Sequence, residues 1–379
     1  MAVAVVGAGF SGLMFAIAMS RAGERVDLYE EHGRVGFPEH CTGLVSEATV
    51  EAIGSPAVRS ELGLIESFVI SGPRLSLRVR TSRPVVKLDR VRLEELMLEE
   101  AESEGARFFP HMKVRVQPDG VLLPTNRRYD LVVLAEGYLG RQRRGLRVGF
   151  MGPALYGVNA EIESGGSPDF EAKFDYVTSD GFFSWHVVLG STTIIGTASR
   201  DPRALKRKLD EAIRYYSPDG RPLRTYGGPV LVGPFPRKVR AGRVVAVGDA
   251  SSMNKPLTGG GLYPSSTASR RAEELVIQGI SPLDAVESAV LGVLSELRRT
   301  YRISKLLHER PEVVDLIIMA SAKSGLVDRL SGKVDYDRHH TIVSESLRLP
   351  PLYRAALFVI RQDPINALRI LTAAVYDMV

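Results

Sequence analysis

Short apolar runs broken by glycine set the first pattern along the chain. Ala2 to Val6 is one such run, and a longer apolar stretch, Leu13 to Arg21, follows a glycine-rich interval and closes at Gly23. A brief unbroken run fits a strand buried on both faces, and the longer stretch fits a helix. Arg25 to Tyr29 predicts a second strand. Arg90 opens RVRLEELMLEEAESEGA, in which Leu93, Met97 and Ala101 share one helical face and Gly105 supplies the stop. Arg243 to Val247 predicts another buried strand, and Gly259-Gly260-Gly261 opens a helix running to about Val276.

Between these lie β-rich segments: SFVISG, LSLRVRT, STTIIGTA and GPVLVGPF. Beyond residue 281 the pattern is helical, in PLDAVESAVLGVLSELRRTYRISKLL, PEVVDLIIMASAKSGLVDRL, PPLYRAALFVIRQ and INALRILTAAVYDMV. No internal repeat of 20 to 50 residues and no low-complexity tract interrupts this order. The opening MAVAVVGAGFSGLMFAIA lacks a basic segment before its apolar run, and three glycines divide it, so it does not read as a secretory signal. No other stretch stays apolar long enough to span a bilayer.

Composition narrows the class. A chain of 379 residues, 44% hydrophobic and 25% charged, has enough material for two or three domains with real cores. A net charge of +5 with scattered Arg and Lys argues against nucleic acid as the main partner. One cysteine, Cys41, allows neither an intrachain disulfide nor a multi-cysteine metal site, so any electrons come from elsewhere. The adjacent His339 and His340 have no further His or Cys at ligand spacing, which gives no metal site.

The chemistry starts at Gly7-Ala8-Gly9-Phe10-Ser11-Gly12, a G-x-G-x-x-G between strand and helix. Gly7 suits the sharp turn, Gly9 lets backbone approach a pyrophosphate, and Gly12 lets the helix pack on the strand. The helix N-terminus then faces the phosphates. Glu30, ending the second strand, stands where an acid holds a ribose 2′-hydroxyl, and its charge would repel a 2′-phosphate, so FAD or NAD is expected over NADP. Gly248-Asp249 and the glycine triplet form a second site: an acid for a ribityl chain, and a helix N-terminus for the charge that reduced flavin carries. NAD has no ribityl chain to use it, and FAD is therefore the expected cofactor.

With these motifs in place the chain resembles flavoproteins of the p-hydroxybenzoate hydroxylase fold. That fold is α/β: a Rossmann-like FAD-binding domain with a parallel sheet, an antiparallel substrate-binding sheet and C-terminal helices. The resemblance makes Arg90 a flavin-nucleotide contact, against the alternative of a solvated arginine at a helix start. YDLVVLAEGYLGRQRR matches the family's D-x-x-V-x-A-D-G-x-x-S-x-x-R through Asp130, Ala135, Gly137 and Arg143, with Glu136 in place of Asp and Gly140 in place of Ser. Glu136 and Gly137 are accordingly expected at the cofactor.

Gly36-x-Pro38-x-x-Cys41-x-Gly43 resembles the G-x-P-x-x-C-x-G loop of geranylgeranyl reductases, which saturate isoprenoid chains. Asn254-x-Pro256-x-Thr258-Gly259-x-Gly261 resembles their loop at the flavin. The resemblance places Cys41 at the flavin ring face as the candidate catalytic residue; the alternative is a small buried hydrophobe. Of the family's Y-x-W-x-F-P, only Trp185 survives in Phe183-Ser184-Trp185-His186-Val187-Val188. Phe183, Trp185 and Val187 are expected to line an oily substrate pocket, though Trp185 alone could equally be core. His186, on the opposite strand face, reads as a partly exposed histidine.

The expected organisation is an FAD-binding domain over 1–150, with a strand segment near 60–85 belonging to the substrate sheet, then an antiparallel substrate domain over 151–240. The flavin-side return covers 241–280 and a helical region 281–379. The expected function is FAD-dependent saturation of isoprenoid C=C bonds. Four Asn, four Gln and one Cys lean towards a hot environment, which favours archaeal ether lipids over chlorophyll or quinone chains. Rivals are a flavin monooxygenase, a dehydrogenase or electron carrier without isoprenoid specificity, and a lipid-binding redox flavoprotein. The expected partners are an isoprenoid lipid and an external electron donor, ferredoxin or NAD(P)H. The expected location is cytoplasmic, with peripheral contact at the inner face of the membrane as a weaker expectation.

Overall fold

The structure is a computed structural model that describes residues 1–338 and 351–378. Its first sheet has six strands, in the order Arg240–Ala241, Val244–Ala246, Leu131–Leu134, Ala2–Val6, Arg25–Tyr29 and Arg107–Phe109. All neighbours run parallel except the edge strand Arg240–Ala241. Val3 and Val5 are fully buried towards the helices Phe10–Arg21, Arg90–Ser103 and Leu262–Ile277, while Ala4 and Val6 point to a smaller core with Tyr29, Leu122 and Tyr129. Burial on both faces is why these strands read as continuous apolar runs rather than alternating ones.

Gly7 ends the central strand at φ +102, and a Cβ there would fall 2.3 Å from the Ala135 carbonyl oxygen. No other residue fits that turn without strain.

The second sheet orders Ser184–Ser199, Leu155–Lys173, Glu61–Ser71, Ser76–Leu88 and Leu44–Ser46, with Pro222–Val230 pairing the far half of Leu155–Lys173. Glu61–Ser71 meets Leu155–Lys173 in parallel; the other pairings are antiparallel. Register shifts at Glu163/Gly166 and Gly166/Asp169 bend the long hairpin. The bend folds the hairpin's loop back on its own open end, where Thr197 donates its hydroxyl to the Thr178 carbonyl at 2.6 Å. An aromatic core forms inside, with Phe68, Phe170, Phe174, Phe182, Phe183 and Trp185 all buried.

Two segment expectations shift. GPVLVGPF is only partly strand: Pro222–Val230 pairs, and the chain leaves the ladder before Pro234, which has no N–H to give it. The long helix expected from Pro282 is two, Pro282–Arg298 and Tyr301–Glu309. Asp377, far along the chain, accepts the N–H groups of Arg302 and Ile303 at 2.9 and 3.0 Å and caps the second helix, a partner no local pattern discloses.

Candidate flavin site and thiol loop

Gly12 packs so closely that a Cβ on it would lie 1.9 Å from the Gly7 carbonyl oxygen, which seats the helix Phe10–Arg21 directly on the turn. Gly9 differs: a Cβ there would meet nothing within 4 Å. Its bare backbone faces open space, the cradle a pyrophosphate needs. Glu30 turns its carboxylate towards the same turn, accepting the Ala8 N–H at 2.7 Å and the His32 N–H at 2.9 Å.

Arg90 is the first residue of its helix and is only 7% exposed, so the solvated alternative fails. Its guanidinium lies over the Phe10 ring, 5.4 Å from the centroid, and pairs with Glu94, while a Cβ on Gly43 of the thiol loop would lie 3.1 Å from Arg90 Cγ. Burial works against its charge, but Cys41 and Glu94 outweigh burial and the guanidinium holds its proton more tightly than usual. Arg90 thus joins the glycine turn, through Phe10, to the thiol loop.

Cys41 is half-buried against the first core, and its Sγ accepts the Gly43 N–H at 3.4 Å. A second buried cation, Lys87, adds positive charge on this side; burial holds its ammonium below the usual range, and Cys41 works in the opposite direction. Next to Cys41, Thr42 donates to Asn159 Oδ1 at 3.3 Å, and the same oxygen accepts the Trp185 indole N–H at 2.9 Å. The loop and the aromatic core of the second sheet are therefore in direct contact. Phe183 stacks on Phe182 at 4.2 Å and faces Trp185 at 5.8 Å, with Val187 buried in the same cluster. His186 stacks on Tyr216 at 4.9 Å, and burial lowers its pKa.

The downstream loop is tied to the end of the thiol loop through the Lys255–Asp337 ion pair, since Asp337 also accepts from Ser46 and Thr49. Asn254 donates from Nδ2 to Asp249 Oδ1 at 3.0 Å and to the Gly259 carbonyl at 3.2 Å, tying the strand-end acid to the glycine triplet. A Cβ at Gly259 would strike Val230 Cγ1, at Gly260 Lys255 Cε, and at Gly261 Asn254 Nδ2, at 2.4, 2.8 and 3.0 Å respectively. Pro256 is buried beside a polar cavity of about 10 Å³, room for one water.

Buried polar atoms without a partner within the protein include Arg90 Nε and, in the downstream loop, Ser252 Oγ, Asn254 Oδ1 and Thr258 Oγ1. Unsatisfied groups of this kind are costly without a ligand or water. Together with the open backbone at Gly9, they fit a bound FAD.

Glu136 stands apart. Its two carboxylate oxygens accept the N–H groups of Gln142 and Arg143, each at 2.9 Å, and it pairs with the fully buried Arg143. Arg143 in turn donates to the carbonyls of Gly137, Tyr138, Gly140 and Phe150. The carboxylate is spent on this turn, which leaves the backbone at Glu136 and Gly137 as what can face a cofactor. A Cβ at Gly140 would lie 2.4 Å from the Glu136 side chain, so the two departures from the family motif compensate each other.

Sequence reading missed Lys255, Asp337, Asn159 and His308. Lys255 and Asp337 form a buried ion pair, and Asp337 also accepts the Ser46 N–H at 2.7 Å and the Thr49 hydroxyl at 2.5 Å. His308 lies among Phe174, Phe182 and Phe183 with Nε2 2.9 Å from the Leu257 carbonyl. Lys255 stands inside a stretch already singled out, but nothing in it announces a partner at 337. His339 and His340 lie outside the described residues; among the described ones no three His, Cys, Asp or Glu are placed to hold a metal.

Residues 5–40 match the NAD(P)-binding Rossmann-like domain family. In sequence the chain is 27% identical over 347 residues to digeranylgeranylglycerophospholipid reductase 1 of Methanopyrus kandleri, covering 83% of this chain and 91% of that protein. In fold it is similar to a geranylgeranyl bacteriochlorophyll reductase-like protein of Thermoplasma acidophilum, with TM-score 0.76, 16% identity, and 95% and 97% of the two chains covered. It is also similar to a probable FAD-dependent monooxygenase of Pseudomonas aeruginosa, with TM-score 0.63, 18% identity, and 83% and 98% covered. The chain is an FAD-dependent oxidoreductase of the p-hydroxybenzoate hydroxylase fold, and over most of its length its sequence is similar to proteins named digeranylgeranylglycerophospholipid reductase.

Proposed function

We propose that the protein saturates C=C bonds of geranylgeranyl or related isoprenoid chains, with archaeal ether lipids as the substrate class. The observation that carries this reading is the position of Arg90, which lies over Phe10 of the glycine turn and packs against Gly43 of the thiol loop. The name of the Methanopyrus relative supports the substrate class.

FAD held by these residues would, once reduced, supply a hydride for one alkene carbon. The other carbon takes a proton, so each double bond consumes two electrons and gains two hydrogens. An isolated alkene offers no carbonyl to polarise, and the protein's contribution is positioning and exclusion of water. In this reading Gly7, Gly9, Gly12, Glu30 and Arg90 hold the nucleotide. Asp249, Pro256 and Gly259 to Gly261 take the flavin end. Cys41 orders the chain or passes the proton, and Trp185, Phe183 and Val187 form the apolar wall. Electrons arrive from an external carrier, ferredoxin or NAD(P)H.

The test is to incubate chemically reduced protein with geranylgeranylated glycerophospholipid without oxygen and read the lipid mass. Gains in steps of two hydrogens support the proposal. A phenol-stimulated, oxygen-consuming NADPH oxidation with unchanged lipid favours the monooxygenase instead.

A further inference from the structure

The C-terminal helices Pro351–Gln362 and Pro364–Met378 carry more apolar surface than their packing uses. One face of the last helix is satisfied inside the protein: Ala367 and Ala373 are buried, Ile370 packs against the cluster of Leu316, Ala320 and Val359, and Asp377 caps a neighbouring helix. Yet Ile365, Leu368, Leu371 and Val375 are exposed, Ile365 and Leu368 at 66% and 67%. At 100° per residue these four fall within an arc of about 120°. On the preceding helix Leu357 and Ile360 are exposed as well.

The surroundings are basic. Arg354, Arg361 and Arg369 are exposed, and Lys323, Arg354 and Arg361 line an open groove of about 270 Å³ with Leu357 and Phe358. Two acids nearby are engaged: Asp377 on the Arg302 and Ile303 N–H groups, and Asp363 on the N–H and side-chain amide of Asn366. Among the described residues no helix is long and apolar enough to cross a membrane. An apolar stripe with a cationic rim on a helix too short to span is the form that lies in a bilayer interface.

We propose that these two helices dock the protein on the surface of an anionic phospholipid bilayer. The exposed Ile365, Leu368, Leu371 and Val375 enter the acyl boundary, and the groove of Lys323, Arg354 and Arg361 receives headgroup phosphate. Charge complementarity selects this occupant: the cationic groove of Lys323, Arg354 and Arg361 suits an anionic surface. The inference deepens the lipid-reductase reading, but it stands on separate residues.

The experiment is cosedimentation of the full-length FAD-loaded protein with vesicles of saturated phosphatidylglycerol or saturated phosphatidylcholine. Saturated lipid leaves nothing to reduce, so binding is read independently of turnover. Strong binding to the anionic vesicles is expected, with at least a tenfold loss in Leu368→Glu/Val375→Glu and in Arg354→Glu/Arg361→Glu. Unchanged flavin content and melting temperature in these variants establish that the fold is intact. Absent binding, equal binding of the variants, or a wild-type dimer that Leu368→Glu/Val375→Glu converts to monomer would each overturn the proposal.

Discussion

Lys255 and Asp337 meet as an ion pair with side chains 4% and 1% exposed, 82 residues apart in sequence. Asp337 also holds Ser46 and Thr49, just beyond the thiol loop, and Lys255 lies against Gly260 in the flavin-side triplet. The pair therefore clamps the two loops that carry the candidate chemistry. Asp337→Asn strands a buried ammonium and should cost about 3–5 kcal/mol. Denaturant unfolding measures this, and a loss below about 1 kcal/mol would remove the clamp from the account.

Gly140 and Glu136 predict a reversal of sign. Gly140→Ser alone presses a side chain into Glu136 and should cost about 1–3 kcal/mol. Adding Glu136→Asp shortens the carboxylate and should recover most of that loss. Additive destabilisation in the double-mutant cycle would show that the two positions are not coupled.

The two glycines Gly9 and Gly12 separate cofactor binding from folding. Gly12→Ala collides with the Gly7 carbonyl and should lower the melting temperature of the flavin-free protein, whereas Gly9→Ala meets open space and should leave that of the flavin-free protein nearly unchanged while flavin content drops. Full flavin occupancy in Gly9→Ala would argue against a pyrophosphate at that turn.

His308 predicts a pH dependence. Burial depresses its folded pKa to about 4, below the ordinary 6.5. The unfolded state then binds the extra proton first as pH falls, so its stabilisation is complete above about pH 6.5 and is lost progressively towards pH 4. The loss is on the order of 3 kcal/mol. His308→Gln keeps a donor for the Leu257 carbonyl and removes the titration. Its stability should vary less with pH between 4 and 6.5, and an unchanged slope in chemical denaturation would contradict this.

What the sequence discloses and what it hides divides by range. The glycine turn, its flanking strands and the face of Leu93, Met97 and Ala101 are set by residues within a few positions of each other, so periodicity and glycine placement reveal them. Arg90 is harder: its helix is legible, but its burial depends on Phe10 and Gly43, both distant in sequence. Trp185 raises the same difficulty, since only the bent hairpin brings it to Asn159 and Thr42. Lys255 and Asp337 read as ordinary surface charges until the fold buries them together. Glu136 shows the reverse case, a motif acid whose carboxylate the local turn consumes.

The central claim is that the thiol loop sits where reduced flavin meets an isoprenoid chain. Reoxidation of the anaerobic, reduced protein by geranylgeranylated lipid measures it most directly, with the lipid mass read in the same samples for wild type and Cys41→Ala. The predicted result is return of oxidised-flavin absorbance together with two added hydrogens per flavin in the wild type, and retained flavin with slowed reoxidation in Cys41→Ala. A reduced protein that stays bleached in the presence of lipid until oxygen is admitted would contradict it.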